Sequence, residues 1–455
     1  DGLGNSMGIF APTIRYHHGT FYIITTMVGQ EGNFIITAKD PTGPWSAPVW
    51  IKDAPGIDPS LFWDDDGKCY YTGAGIIDGS KGEWPGKNGV WMQEIDPDKG
   101  ELIGAKKQLT YGHAANARWA EGPHIYKIDD EYLLLIGEGG TGEYHAVTVF
   151  NSKNIWGPYV PNHANPVMSH RHLGDTHPIG QTGHADLVQT QTGEWWSVLL
   201  AKRKVDGYTT LARETFLAKV EMTQQESGVT PIFNPGVGLL QFEQKRPNLS
   251  WTPVNEPPPK VEFHKEISGD WNTLRTPKTE WYQVKNNHLE LKLRPQTLEQ
   301  LTNPSFLARR TKHHSYKAST KITFSGEKEN ERAGLAVYRR NGNNFQLLKR
   351  KNDLVLIKVF QQDNTGPITQ TEVARIPYRK ESVVLHLQVD GIKAQFSYGE
   401  TIDDLTPIGE AQNYAILSDE IAQRFNGVYV GMYATSAGKD SAQEAKYSWF
   451  LYEGK

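Results

Sequence analysis

Carboxylates are the residues of this chain whose placement points to chemistry. Glu121 stands in the run Ala120-Glu121-Gly122-Pro123-His124-Ile125-Tyr126, behind Arg118 and Trp119. Tyr126 and the stretch Tyr132-Leu133-Leu134-Leu135-Ile136 flank the turn Asp129-Asp130 and read as a strand pair. A carboxyl at the mouth of an apolar strand, with an indole beside it, is expected to lose hydration, which raises its pKa. Such a carboxyl suits general-acid work. Cleavage of a glycosidic bond needs an acid of this kind and a second carboxylate. Asp58, in Gly56-Ile57-Asp58-Pro59-Ser60-Leu61-Phe62-Trp63, is the candidate for the second.

The elements that must position these groups repeat. Asp58 opens a strand that returns through Asp64-Asp65-Asp66-Gly67 into Lys68-Cys69-Tyr70-Tyr71. Gly183-His184-Ala185-Asp186-Leu187-Val188 leads through Thr192-Gly193 into Trp195-Trp196-Ser197-Val198. Ala11-Pro12-Thr13-Ile14-Arg15-Tyr16 leads through His18-Gly19 into Thr20-Phe21-Tyr22-Ile23. With the unit at Glu121, these make four copies of strand, polar turn and aromatic strand. They start roughly 45–65 residues apart, near the spacing of propeller blades. Blades surround a central channel, so the first residues of the innermost strands converge there. The expectation is that Arg15, Asp58, Glu121 and His184 meet. No helical period of useful length interrupts this half, which is rich in Gly and Pro.

Residues 1–244 are therefore read as a β-propeller domain and 245–260 as a proline-rich linker containing Pro257-Pro258-Pro259. Residues 261–455 alternate with period two, as in Leu289-Glu290-Leu291-Lys292-Leu293. Turns at Asn341-Gly342 and Asp390-Gly391 join such strands, the pattern of a β-sandwich. The whole chain is all-β.

Several other constellations are weaker. His170, His172, His177 and His184 have no compact zinc spacing and read as a mobile polar rim loop. Asp96-Pro97-Asp98-Lys99-Gly100 lacks the later Glu of a calcium loop and reads as a turn. Asp186 follows His184 at strand spacing and either holds it or serves a backbone amide. Arg213 lies among apolar and small residues and needs a partner, either an acid such as Glu214 or a sugar.

Composition narrows the ligand. Aromatic residues are 11% of the 455, with 13 Trp and 20 Tyr, enough to supply sugar platforms as well as an all-β core. The net charge of −4 and the absence of a basic stripe argue against a nucleic-acid binder. No apolar run is long enough to span a membrane as a helix. The single cysteine, Cys69, forms no intrachain disulfide, so it does not report the redox compartment. No export signal is visible; a periplasmic or secreted location is the expectation, with the cytoplasm as alternative.

These segments resemble glycoside hydrolase family 43, five-bladed propeller enzymes that cleave xylosides and arabinofuranosides. The likeness rests on Ile9–Tyr16, Asp58–Phe62, Glu121–Tyr126, Thr182–Asp186 and Ala212–Ala218, in the family's order. It continues into the C-terminal half, which is similar to the concanavalin-like sandwich of many β-xylosidases. The resemblance implies that Glu121 is the general acid and Asp58 the carboxylate that orients it and tunes its pKa. It implies that Arg213 contacts the sugar and that His184 is an axial histidine, a sugar contact or the holder of a channel cation such as Ca²⁺. Phe425 matches a phenylalanine that closes the pocket, or is an ordinary sandwich residue. No cofactor is required. Xylan- or arabinan-derived oligosaccharides are the implied partners, and a homo-oligomer is compatible.

The family's general base, an aspartate in a first-blade Asn-Pro-Asp-Pro segment, has no counterpart in this sequence. The chain opens on what resembles the second blade. The expectation is that about one blade carrying the base precedes Asp1, since an unfinished propeller exposes a sheet edge. The alternative is a carbohydrate-binding protein that has lost catalysis.

Overall fold

A computed structural model describes residues 2–254, 256–264, 267, 269–363, 365–423 and 425–455. They form two compact units. One comprises Met7–Lys202 and Glu214–Thr252; the other comprises Pro253–Lys455 with the segments Asp1–Ser6 and Arg203–Arg213, the first residue of which lies outside the described set.

The first unit holds four four-stranded antiparallel sheets, each built from strands consecutive in sequence. Their innermost strands are Gly8–His17, Ile57–Trp63, Glu121–Ile128 and Ile179–Gln189. The sequence explains the stacking. In a strand, neighbouring residues point to opposite faces. Tyr71 accordingly joins Tyr22, Ile24, Ile35, Leu61 and Trp91 in a core between the first and second sheets. Tyr70, one residue earlier, joins Ile125, Leu134 and Ile136 between the second and third. Leu133 and Leu135 join Leu187 and Leu199 between the third and fourth. A middle strand must therefore be apolar on both faces, and Glu131–Glu138 is buried throughout. Each fully buried Leu of this kind contributes about 1.5–3 kcal/mol.

The innermost strands are sheet edges, which is why they tolerate proline. Pro12, Pro59 and Pro123 each follow a residue with positive φ: Ala11 at 20°, Asp58 at 54° and Gly122 at 57°. His184, before Ala185, is at 49°. In the first three sheets the pairing register slips at this point, between Phe10 and Thr13, between Ile57 and Ser60 and between Glu121 and His124. A bulge of this kind bends the strand and re-aims a side chain. Hydroxyls two residues on stitch one sheet to the next. Thr13 Oγ1 donates to the Pro59 carbonyl at 3.0 Å, and Ser60 Oγ to the Pro123 carbonyl at 2.6 Å.

The second unit contains a nine-stranded and a seven-stranded antiparallel sheet. Leu289, Leu385 and Leu387 of the former and Leu335, Leu347 and Val430 of the latter meet in one core. The strands Arg332–Arg340 and Asn343–Lys349 turn at Asn341-Gly342, and Ser382–Asp390 and Lys393–Gly399 turn at Gly391. Segment 203–213 packs within this unit. Thr209 donates its backbone N–H and its hydroxyl to the Glu420 carboxylate, both at 2.9 Å. No helix among the described residues is long and apolar enough to cross a membrane.

Candidate active site

Asp58, Glu121 and His184, from the second, third and fourth sheets, come together. One ligand atom from each lies within 4.8 Å of the other two. Asp58 is buried, and the other two are partly exposed. Their convergence depends on glycine. A Cβ on Gly122 would stand 2.8 Å from His184 Nε2, and one on Gly137 3.4 Å from the His184 backbone. Gly137 is the register partner of Glu121, so the His184 strand approaches the acid's own hairpin where side chains are missing. Behind it, a Cβ on Gly183 would lie 2.5 Å from the His145 ring.

The positive-φ position places the side chain differently in successive sheets. In the second and fourth sheets it is Asp58 and His184 themselves. In the third it is Gly122, one residue after Glu121. The repeat is thus offset by one at the acid, where the sequence reading treats the four positions as equivalent. Asparagine and aspartate tolerate this backbone region better than most residues, and glycine is free in it.

Arg15 meets the strands that carry the trio, at Asp186 and His124. It reaches from the first sheet to Asp186 of the fourth, with Nη1–Oδ2 at 2.7 Å and Nη2–Oδ1 at 3.1 Å. Its Nη2 also lies 2.9 Å from His124 Nδ1. A guanidinium only donates, so this imidazole nitrogen accepts and the ring is neutral. Burial, reinforced by Arg15 and His184 against the pull of Asp186, lowers the His124 pKa to about 3, which agrees. Tyr126 donates its hydroxyl to Asp186 Oδ1 at 2.6 Å and accepts the Leu187 N–H at 2.8 Å. Burial pushes the Asp186 carboxyl up. Arg15 and the Tyr126 hydroxyl pull the other way, and the carboxyl is held below its ordinary range. Asp186 therefore binds Arg15 and Tyr126, where the sequence reading gave it the histidine or a backbone amide.

Within the histidine cluster, His170 departs from the rim-loop reading, while His172 is exposed and His177 half-buried. His170 is 3% exposed, its Nδ1 lying 2.8 Å from the Ile179 carbonyl and its Nε2 accepting the Leu240 N–H at 2.9 Å. It ties loop to loop. Arg213 and Phe425 belong to the other unit, where the guanidinium carbon lies 3.9 Å from the phenylalanine ring centre. Phe425 is 39% exposed, so it is not a core ring.

Sequence reasoning missed His124, Tyr126 and Tyr71 as parts of the site. Tyr71 is fully buried within electrostatic reach of Asp58, and its hydroxyl has no hydrogen-bond partner among the described residues. The signal available for the first two was alternation: His124 and Tyr126 are two apart in one strand and so share a face.

Chemically, two adjacent carboxyl groups beside an imidazole can do two things. They can deliver one proton while the second carboxylate steadies it. They can also hold a cation, since oxygen-to-metal bonds of about 2.3–2.6 Å would span such a spacing. The two uses compete at Glu121, because a metal-bound carboxylate cannot donate a proton.

Comparison with known proteins places this geometry. "Glycosyl hydrolases family 43" matches residues 2–227, and "Beta xylosidase C-terminal Concanavalin A-like domain" matches residues 260–453. A xylosidase/arabinosidase of Butyrivibrio fibrisolvens is 38% identical over 462 residues, covering 98% of this chain and 86% of the relative. A non-reducing end alpha-L-arabinofuranosidase of Bacteroides ovatus is 34% identical, covering 97% and 81%. The crystal structure of a xylan beta-1,4-xylosidase from Bacillus halodurans C-125 superposes with a TM-score of 0.90 at 31% identity, covering 99% of this chain and 88% of that one.

Proposed function

The chain belongs to family 43 of the glycosyl hydrolases, and on that premise we propose that it removes terminal β-D-xylose or α-L-arabinofuranose from the ends of plant cell-wall oligosaccharides, with inversion of configuration. The observation that carries the reading is the cluster of Asp58, Glu121 and His184 within 4.8 Å. Glu121 is the general acid that protonates the leaving oxygen. Asp58 orients it and, as a like charge at its side, favours its protonated form. His184 contacts the sugar, and through it a channel cation would be held; no step is routed through that ion. Arg213 and Phe425 are assigned to substrate binding. Of the two sugars we favour xylose, because the C-terminal domain is like that of β-xylosidases.

The spacing also bears on the base. An inverting pair leaves room for a water between carboxyl groups about 6.5–9.5 Å apart. Asp58 and Glu121 are closer than that. Asp58 is therefore the partner of the acid, and the water-activating base is a different group.

The test is turnover of nitrophenyl β-D-xyloside and α-L-arabinofuranoside, with the product anomer read by NMR at early times. Hydrolysis with inversion is expected. Retention would make Asp58 a nucleophile. Glycan binding without turnover would establish the alternative, a carbohydrate-binding protein derived from this family.

A further inference from the structure

Within the second unit, the strands Ser305–Arg310 and Glu444–Gly454 belong to the two facing sheets. The ends of these strands, with Pro257 and Asp270, wall a cavity of about 550 Å³. This is within the usual range for a small-molecule site. Arg309 follows Leu307 by two residues in its strand, and Leu307 belongs to the core between the sheets, so Arg309 is turned the same way. Its guanidinium carbon lies 5.8 Å from the ring centre of Trp271, another residue of that core. Its charge acts on the hydroxyl of Tyr452, which lines the same cavity.

Arg309 is 8% exposed and makes no hydrogen bond or ion pair among the described residues. A buried charge is ordinarily paired, so this one marks a place for an anion. Of its three nitrogens only Nη1 is sealed from solvent; Nε and Nη2 stay open. Those two share one edge of the guanidinium and carry parallel N–H bonds, the fork that meets both oxygens of a carboxylate. The other cations of the wall are engaged. Lys312 stands 3.7 Å from the Glu256 carboxylate, and Arg310 donates Nη2 to the Leu211 carbonyl at 2.7 Å. Asp270 and Glu453 also line the cavity. One fork beside carboxylates suits a singly charged ligand better than a phosphate dianion.

We infer that this cavity is a carboxylate site: a uronic acid lays its carboxylate across Nε and Nη2 of Arg309, with its ring in the space beside Pro257 and Tyr452. Uronic acids are the sugars that carry this group, either free or as a branch of an oligosaccharide. The choice of a sugar as carrier rests on the function proposed above, but the carboxylate site itself does not. The site binds the acid without taking part in bond cleavage.

The experiment is calorimetric titration of the full chain, carrying Glu121→Gln, with glucuronic acid, its neutral amide and inorganic phosphate. Glucuronic acid is expected to bind once per chain, at least tenfold tighter than either of the others. Arg309→Gln and Arg309→Lys, each added to that protein, should both weaken this binding at least tenfold, because lysine keeps the charge without the fork. With Glu121 intact, each should turn over the nitrophenyl glycoside within twofold of the parent, which shows that the fold is sound. Equal binding of acid and amide overturns the inference without reference to any variant. Phosphate bound as tightly as the acid, or acid binding unchanged in both variants, overturns it as well. A xylotriose bearing one glucuronic acid branch separates the sources: binding tighter than the free acid assigns the branch, and weaker binding assigns the free acid. Failure of the hydrolase reading would show instead as absent turnover by the parent, with Arg309-dependent binding retained.

Discussion

In the sandwich unit the facing strands contribute Leu335, Leu347, Leu385 and Leu387 to one continuous core. In the propeller unit the apolar residues divide among three cores between successive sheets, and the innermost strands turn Asp58, Glu121 and His184 toward one another, with Arg15 and Asp186 beside them. The sandwich strands also slip register, at Lys321/Ile322 and at Leu356/Ile357, yet alternation still carries apolar side chains such as Ile322, Leu354 and Leu356 inward. The propeller's innermost strands are edges broken by positive-φ residues, so polar side chains can be aimed where an unbroken strand would place them on a face. The difference teaches that stability and chemistry are built from the same strand pattern, separated by a local departure from it.

The largest test of this separation is Glu121→Gln. Turnover of substrates with poor leaving groups should fall by about 10²–10⁴, with a smaller loss on activated aryl glycosides and no change in the thermal midpoint. Equal loss on both substrate types would show that Glu121 is not the acid. Leu335→Ala is the converse case. Leu335 is fully buried in the sandwich core, and its truncation should cost about 2–5 kcal/mol in denaturant unfolding. A loss under about 1 kcal/mol would mean that the core collapses around the gap.

Asp186→Asn asks whether the polar axis is also structural. It leaves the Arg15 guanidinium, which is one-fifth exposed, without its carboxylate. A cost near about 3 kcal/mol is expected, the low end for breaking a buried pair because some solvent reaches it. The pH dependence follows in sign. The folded carboxyl is held below its ordinary value of 3.8. Its contribution is therefore complete above the ordinary carboxylate range and is lost as pH falls through the lowered folded value. The gap in thermal midpoint between parent and Asp186→Asn should shrink from pH 5 to pH 2.5. A constant gap would show that the ionised form of Asp186 is not what stabilises.

The smallest effect sharpens the offset between sheets. Gly122→Ala places a methyl against the His184 ring at a φ of 57°. The backbone alone should cost about 1–2 kcal/mol, and displacement of His184 should raise KM. A variant with unchanged KM and stability would mean that the glycine is not needed for the approach of the two strands.

The fold class was legible because its signals are local. Alternation of period two, the turns at Asp64–Gly67, His18-Gly19 and Asn341-Gly342, and the proline near the start of three innermost strands each act within a few residues. The site was legible in part. Glu121, Asp58 and His184 could be named from repeated strand openings, and Arg15 with them by the same logic, whereas its pairing with Asp186 could not. Four positions in equivalent repeats look equivalent in sequence, and nothing local distinguishes a side chain that faces the trio from one that turns to a neighbour.

The sequence by itself determined that carboxylates and a histidine open strands of an all-β chain, and that a second run of alternating strands follows. Only the tertiary structure decided which of these groups touch. The Gly122 and Gly137 backbones admit His184 beside Glu121, and Arg15 finds its carboxylate on the fourth sheet. These outcomes rest on close approach between sheets distant along the chain, where a missing Cβ or a shift of one residue decides contact, and no spacing within a strand records that distance.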